Sequence, residues 1–589
     1  MKTYRKFNLF ILFVASYLLI SCDSMLDLKP ETEMTEPAFF TKAEDFELTV
    51  NYCYTWLDKM ITDNGLNGIV QRDYDADIAF YQGSNMTDIS MSAYTTSTTD
   101  DNYKNYYDRV RHINQIFKNQ DRVDLSEIKT YIAEAHFFRA YYSWLFYRDF
   151  GPGTINKTVV DKDSPELYSP RDSRDDFADF IIADLEAAIN TYTLPKESEL
   201  PADQIGRITL GAANALLARF CLFEGTWQKY HFNNSIRANM LLEKAVRYAE
   251  AVMNDNSYEL FYNFDMGCES YRYLFTLESA TQCNEYNVLK DQNKEYIFRN
   301  RFHENVKRHG HNSVHVVQGV VASRKMIEMH LDKNGQITKP DYVTSYNSFT
   351  NNMDPRLGMN FRAPFDLYWS YEDGRTIWTI ADEMKLKPLE VTDVGFPNQK
   401  FCAERTMGRD NWGIDVPIIR LAEVYLIYAE ALYELKGSIS DEELNQSINK
   451  LRDRVGMIHL TNTNIPLGSD MLTEIRRERS IELYLEGFRY DDLRRWKTAE
   501  TEMSMSIEGL PMSNGAAYAS PRTFWYPAKG ENVTYQMSLG GYSIGSSGYV
   551  MRQDAAYRKF SEKFYLKPIP TKQIEINPQL KQNEGWDDK

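Results

Sequence analysis

The chain has 589 residues, enough to bury a large core, and a formal charge of −17. So acidic a balance argues against a nucleic-acid partner, because gripping phosphate needs clustered Lys and Arg; it leaves neutral ligands such as sugars open. After Cys22 no apolar run approaches the roughly 20 residues that a membrane helix needs.

Lys2, Arg5 and Lys6 head an apolar stretch from Leu9 to Ile20. It is too short to span a bilayer and has the shape of a secretory signal. In Leu19-Ile20-Ser21-Cys22 a small residue stands directly before a cysteine, the pattern of a bacterial lipoprotein box. Cleavage there makes residues 1–21 a signal peptide, Cys22 a lipidated N-terminus and 22–30 a tether. Residues 31–589 are expected as one domain. The remaining cysteines, Cys53, Cys221, Cys268, Cys283 and Cys402, form no C-x-x-C pair, so neither zinc nor a redox motif is signalled. Cys53 and Cys221 lie in apolar helical stretches and are expected as buried thiols. Cys268 and Cys283 could form one bridge.

The first part of the chain reads as helix after helix. Thr41 to Met60 is amphipathic with Thr41 as N-cap, and Asn105 to Asn119 carries Tyr106, Val110, Ile113 and Phe117 at helical spacing. Leu125 to Asp149 is a long aromatic-rich helix that ends at Gly151-Pro152-Gly153. Asp175 to Tyr192, Thr209 to Tyr230 and Asn239 to Asn254 follow. Ala212, Ala215, Leu216 and Arg219 form a slim stripe that lets a neighbouring helix approach. Helices of this length joined by short links predict a mostly α, tetratricopeptide-like scaffold of helical hairpins.

From about 257 to 415 the helical period fades and turn pairs such as Asn334-Gly335 and Asp373-Gly374 appear. Helices are predicted again at Val416 to Leu435, Asp441 to Val455 and Leu472 to Leu485. A second stretch, from about 500 to 560, is rich in Gly, Ser, Met and Tyr. The expected architecture is a helical scaffold over about 35–256 and 416–500, with two long irregular insertions forming the ligand-facing half.

Several segments resemble one family. Ser21-Cys22-Asp23-Ser24-Met25-Leu26-Asp27-Leu28-Lys29-Pro30 with Phe39-Phe40-Thr41 is similar to the opening of SusD/RagB-family outer-membrane lipoproteins. Pro417 to Val424, running on to Tyr428-Ala429-Glu430-Ala431, resembles that family's central helix, and Ile475 to Trp496 its most recognisable motif. Tyr565-Leu566-Lys567-Pro568-Ile569-Pro570 and Gln582-Asn583-Glu584-Gly585-Trp586 are similar to its C-terminal signature, with Trp586 where Tyr is frequent. Phe138-Arg139-Ala140, Gly206-Arg207 and Leu217-Ala218-Arg219 match in between. The resemblance implies a non-catalytic protein on the outer face of the outer membrane. It would capture an oligosaccharide and close as a lid over a SusC-like TonB-dependent transporter. Capture of peptides on the same scaffold and a lipid-anchored glycoside hydrolase are the rival readings.

Several local motifs carry residues capable of chemistry. Glu478, Glu482 and Glu486 recur every four residues among Arg476, Arg477, Arg479 and Arg489. Paired carboxylates serve glycosidases, yet arginine pairing lowers a carboxyl pKa where a general acid needs it raised, so salt bridges are expected. Gly541-Tyr542-Ser543-Ile544-Gly545 matches G-x-S-x-G, but its surroundings start no helix and no histidine follows His459. His303, His309, His311 and His315 read as a polar loop. Asp73, Asp75 and Asp77 lack the Gly and Glu of an EF-hand, with Ile78 and Ser84 in their places. No cofactor is called for, and a looser structural calcium ion is left open without a signal.

Sugar rings present apolar C–H faces that suit flat aromatics, with a few polar groups fixing orientation. The expected ligand contacts are Asp73, Tyr74, Asp77 and Tyr81 in the first long loop, and Tyr103 at its end. Trp369, Tyr371 and Trp378 add contacts from the middle insertion, and Trp525 and Tyr526 lie on the last one.

Overall fold

The structure is a computed structural model. It describes residues 39–586 apart from 61–67, 82–85, 192, 280–283, 309–319, 340–351, 362–366, 373–374, 381–395, 403–406, 409–411, 512–521, 527–530 and 536–542. Cys22, Cys283, His309, His311 and His315 lie outside the described residues.

The scaffold begins with α1 (Ala43–Cys53), α2 (Asp101–Asn119), α3 (Leu125–Phe150), α4 (Arg174–Asn190), α5 (Leu210–Tyr230) and α6 (Ser235–Met253). Neighbours in sequence pack as neighbours in space, α2 on α3, α3 on α4, α4 on α5 and α5 on α6, as stacked helical hairpins do. Short polar residues start these helices. Asp100 accepts the N–H groups of Asn102 and Tyr103, Ser173 that of Asp176, and Thr209 that of Ala212. At α1 the expected Thr41 cap is replaced by Asp45, whose carboxylate accepts the Thr41 N–H at 2.9 Å and the Lys42 N–H at 3.3 Å. Gly151 ends α3 at φ +74°, a backbone state that costs a side-chain-bearing residue strain. Ala212, Ala215 and Leu216 of the slim stripe on α5 are fully buried and Arg219 is partly buried, and Leu242 of α6 comes so near Gly225 that a Cβ there would lie 3.1 Å from its Cγ.

After the middle insertion the chain re-enters the stack through α7 (Leu421–Lys436), α8 (Ile448–Val455), α9 (Met471–Glu482) and α10 (Arg489–Arg495). α7 packs on α6 and α9. Two boundaries differ from the sequence reading. Val416–Arg420 is a strand, paired antiparallel with Tyr296–Asn300, before the helix starts at Leu421. The stretch predicted as Asp441 to Val455 splits into Asp441–Asn445 and α8 at Ser447.

The insertions are less irregular than their composition suggests. Among the described residues they supply five small sheets of two or three strands. We label β1 (Ala79–Tyr81), β2 (Tyr296–Asn300), β3 (Val320–Ala322), β4 (Leu367–Glu372) and β5 (Arg375–Ile380). β1 pairs with β3, which ties the first loop to the middle insertion. Two large apolar clusters result, one inside the helix stack and one under the insertions. Cys53 and Cys221 are fully buried, and burial pushes both thiols up; Cys268 is a free, exposed thiol. No described helix is long and apolar enough to cross a membrane.

Candidate functional site

The charge-dense segment 475–496 is not one helix. α9 stops at Glu482, and Leu485 (φ +61°) and Gly487 (φ +79°) turn the chain before α10. Glu478, Glu482 and Glu486 therefore lie across a break and not along one continuous face. All three are buried and ion-paired. Glu478 meets Arg356 at 2.5 Å and Arg452 at 2.9 Å. Glu482 meets Arg356 at 3.1 Å and Arg420 at 2.8 Å, and also pairs with Arg454. Glu486 meets Arg420 at 2.6 Å and Lys400 at 2.8 Å. Burial alone would raise the Glu482 carboxyl, but the surrounding Arg454, Arg420 and Arg356 hold it well below the usual range. A carboxylate so held does not serve as a general acid.

Asp73, Asp75 and Asp77 are not on an open loop. Residues Gln71–Tyr74 form a short helix that leads into β1, and all three aspartates are buried. Asp73 accepts the backbone N–H groups of Gly487 (3.1 Å) and Arg489 (3.0 Å). Asp77 takes the Arg489 guanidinium side-on, with both N···O distances 2.8 Å, and Lys325 at 2.6 Å. Asp75 accepts the Thr87 hydroxyl. Local sequence reads this run as loop because the compensating cations come from residues 325 and 489, far along the chain. Among the described residues no group of three or more His, Cys, Asp or Glu is placed to hold a metal ion.

The aromatics of the first loop divide. Tyr74 and Tyr103 are 2% exposed; Tyr103 packs edge-on against Phe146 and Phe150 in the core. Tyr81 is partly exposed on β1, 6.2 Å from the Tyr74 ring. Trp369 and Trp378 are Cα partners in the β4–β5 hairpin, and Tyr371 is opposite Thr376. Trp525 lies in a second hairpin, opposite Asn532, with Tyr526 opposite Glu531. The described part of the G-x-S-x-G stretch is a strand and a turn: Ser543-Ile544 pairs with Met551-Val550, and Gly548 donates to the Gly545 carbonyl. No helix follows the serine, so the nucleophile-elbow geometry is absent there.

A concavity of about 740 Å³ lies between the first loop, α3, α5 and the 479–495 segment. That falls in the range of about 300–1,000 Å³ usual for small-molecule sites. Its rim carries Trp56, Asp101, Asn102 and Arg109. Trp56 and Arg109 are part-exposed, and the Arg109 guanidinium lies 5.7 Å from the Trp56 ring and 4.7 Å from that of Tyr142. Deeper, one stripe of α3 faces inward with Tyr141, Trp144 and Arg148, spaced three and four residues apart. Tyr141 donates to Asp58 at 3.1 Å. Sequence reasoning missed Trp56, Arg109 and Arg148. All three lie on helical segments, where an aromatic or basic residue defaults to packing or solvent. The one local clue was Arg148, a charge set four residues after Trp144 in a helix otherwise buried on most sides.

A model described as "SusD family" matches residues 280–586, and one described as "Starch-binding associating with outer membrane" matches 24–222. A SusD-like protein of Bacteroides ovatus is 23% identical over 512 residues, covering 84% of this chain and 83% of that protein. A SusD-like carbohydrate binding protein from Bacteroides fragilis superposes with a TM-score of 0.68 at 21% identity, over 92% of this chain and all of its own. A SusD homolog from Bacteroides thetaiotaomicron gives 0.62 at 18% identity, over 94% and 99%. Surface glycan-binding protein A from Bacteroides fluxus gives 0.56 at 16% identity, over 92% and 100%. These superpositions establish the helical-hairpin fold. The first family model alone spans just over half of the sequence, and it takes in the ion-paired segment that walls the cleft, so the chain belongs to the SusD/RagB family.

Proposed function

We propose that the protein is a cell-surface, glycan-capturing lipoprotein of the outer membrane, anchored through Cys22. It delivers oligosaccharides to a SusC-like TonB-dependent transporter, over which it closes as a lid. The observation that carries this reading is the pair of family matches in chain order, one of them described as starch-binding and outer-membrane-associated. Structural neighbours described as carbohydrate- and glycan-binding support it. The protein works by binding and not by hydrolysis, since Glu478, Glu482 and Glu486 are buried in ion pairs that leave none poised as an acid. No cofactor enters this reading.

In this reading Trp56 and Arg109 at the cleft rim, Tyr81 on β1, and Trp369, Tyr371 and Trp378 from the β4–β5 hairpin contact the sugar. Asp73, Tyr74, Asp77 and Tyr103 stand behind them and hold the wall in place. Titrating the full chain with a panel of oligosaccharides and of peptides tests the reading. Saturable glycan binding, and co-purification with a TonB-dependent transporter from solubilised outer membranes, are expected. Peptide binding with no response to any glycan would replace glycan capture by peptide capture.

A further inference from the structure

The cleft has more hydrogen-bond donors than its own acceptors satisfy. Asp149 and Asp491 are surrounded within 4 Å by four cations. Asp149 has Arg72 at 2.9 Å, Lys567 at 3.4 Å, and Arg148 and Arg494 at 3.8 Å. Asp491 pairs with Arg72, has Arg494 at 2.5 Å and Arg148 at 3.7 Å. The hydrogen bonds go to Arg72 and Arg494, and Arg148 is left with ion pairs too long to be hydrogen bonds. Its Nε is buried without a hydrogen-bond partner among the described residues, with the Asp149 carboxylate 3.8 Å away.

Three further donors on the same cavity wall share that condition, the Tyr106 hydroxyl among them. The Trp144 Nε1–H and the Arg479 Nη1 group are buried and unpartnered, each on a residue only 3% exposed. Arg479 spends its Nε on Asp492 at 2.8 Å and lays its guanidinium 5.0 Å from the Phe488 ring. Trp144 and Arg148 are one turn apart on α3, about 6 Å along the axis, so both line the cavity from one face. Asp58 and Asp75 on the cavity wall are engaged elsewhere, with Tyr141 and Thr87. Buried donors left unmade are costly, and an acceptor carrying negative charge relieves that cost best.

Resting on the glycan-capture reading, we propose that this cavity takes an acidic sugar. Its carboxylate or sulfate seats against Arg148, with Trp144 and Arg479 as further donors, and its ring lies toward the Trp56 rim. The guanidinium fork matches the two oxygens that either group presents. The charge on the sugar would sort ligands that the aromatic rim alone accepts alike.

Calorimetric titration of the full chain with three probes of equal length tests this: a galacturonate oligomer, a sulfated galactose oligomer and a neutral galactose oligomer. At least one acidic probe is expected to bind about tenfold or more tighter than the neutral one. That ratio should shrink between low and high salt, because screening weakens charge recognition. The uronate and sulfate arms tell the two acidic groups apart. Arg148→Gln should bring the acidic-to-neutral ratio close to one, and Arg148→Lys should restore part of it. Equal binding of acidic and neutral probes by the unaltered chain overturns the acidic-sugar proposal and leaves glycan capture standing. Binding of peptides alone overturns both.

Discussion

Arg420 places its Nη1 2.8 Å from the Glu482 carboxylate, with both side chains 1% exposed or less. Arg420 ends the strand that leads into α7, and Glu482 ends α9. The pair is the hub of a buried network in which Arg356, Lys400 and Glu295 come from the middle insertion. Charges that would be expensive to bury singly are buried together here, and they fasten the loop-rich half to the helix stack.

Removing one member leaves its partners as uncompensated buried charges. Glu482→Ala is expected to cost about 3 to 5 kcal/mol in denaturant unfolding. The exposed pair Lys104–Asp108, although 2.6 Å apart, should tolerate Lys104→Ala without a measurable shift, since solvent screens it. A small effect at Glu482 would mean that the network is solvated and does not join the two halves.

Gly487 sits where the first loop meets the ion-paired segment. Its φ of +79° disfavours a side chain, and a Cβ there would lie 2.3 Å from the Ile69 carbonyl oxygen. Gly487→Ala should therefore destabilise by about 2 kcal/mol or more, combining backbone strain with a clash against main chain. Gly437→Ala has a similar φ of +72° but nothing within 4 Å, so it should show the strain alone, about 1 kcal/mol. Equal losses at the two glycines would remove the close approach from the account.

The Asp73 carboxyl is pushed up to about 7 by burial, against the pull of the Arg489 and Gly487 N–H groups. An unfolded aspartate releases its proton near 3.8. Between those values the folded chain binds more protons than the unfolded one, so this group's contribution to stability falls as pH rises across that window. His231 and His330, both lowered to about 4 by burial, act in the opposite sense as pH rises toward 6.5. The test is consequently a difference: urea midpoints at about pH 5 and pH 7.5 for the wild type and for Asp73→Asn. The variant should gain relative to wild type as pH rises. Parallel midpoints at both pH values would show that Asp73 does not titrate in that window.

Trp56 stands part-exposed on the cleft rim, edge-on to Tyr52, His112 and Tyr142. Trp56→Ala is expected to lower glycan affinity about tenfold, by loss of a stacking face worth about 1 kcal/mol or more. Paired substitution Trp369→Ala with Trp378→Ala should weaken binding similarly if the hairpin reaches the sugar. Unaltered affinity in the Trp56 variant would move the ligand away from this cleft.

Much of the scaffold was legible in one dimension because helix formation is local. Asp100, Ser173 and Thr209 cap the helices that follow them, and Gly151 stops α3, all from contacts within a few residues. Errors fell where a distant partner competes. Val416–Arg420 has the apolar content of a buried helix, yet it pairs with Tyr296–Asn300 as a strand. Asp73 and Asp77 read as ligand contacts on an open loop because Gly487, Arg489 and Lys325 are not visible from their neighbourhood.

The family, the helical character and the charge-dense content of 475–496 follow from the order of residues, because periodicity, caps and composition are written locally, whereas Glu478, Glu482 and Glu486 take their cations from outside that segment. Which arginine meets which glutamate, that the aspartate run is a buried clasp, and that Arg148 faces a cavity without a hydrogen-bond partner all depend on the packed chain. Burial and hydrogen-bond satisfaction are properties of surroundings, and residues tens to hundreds of positions away supply those surroundings.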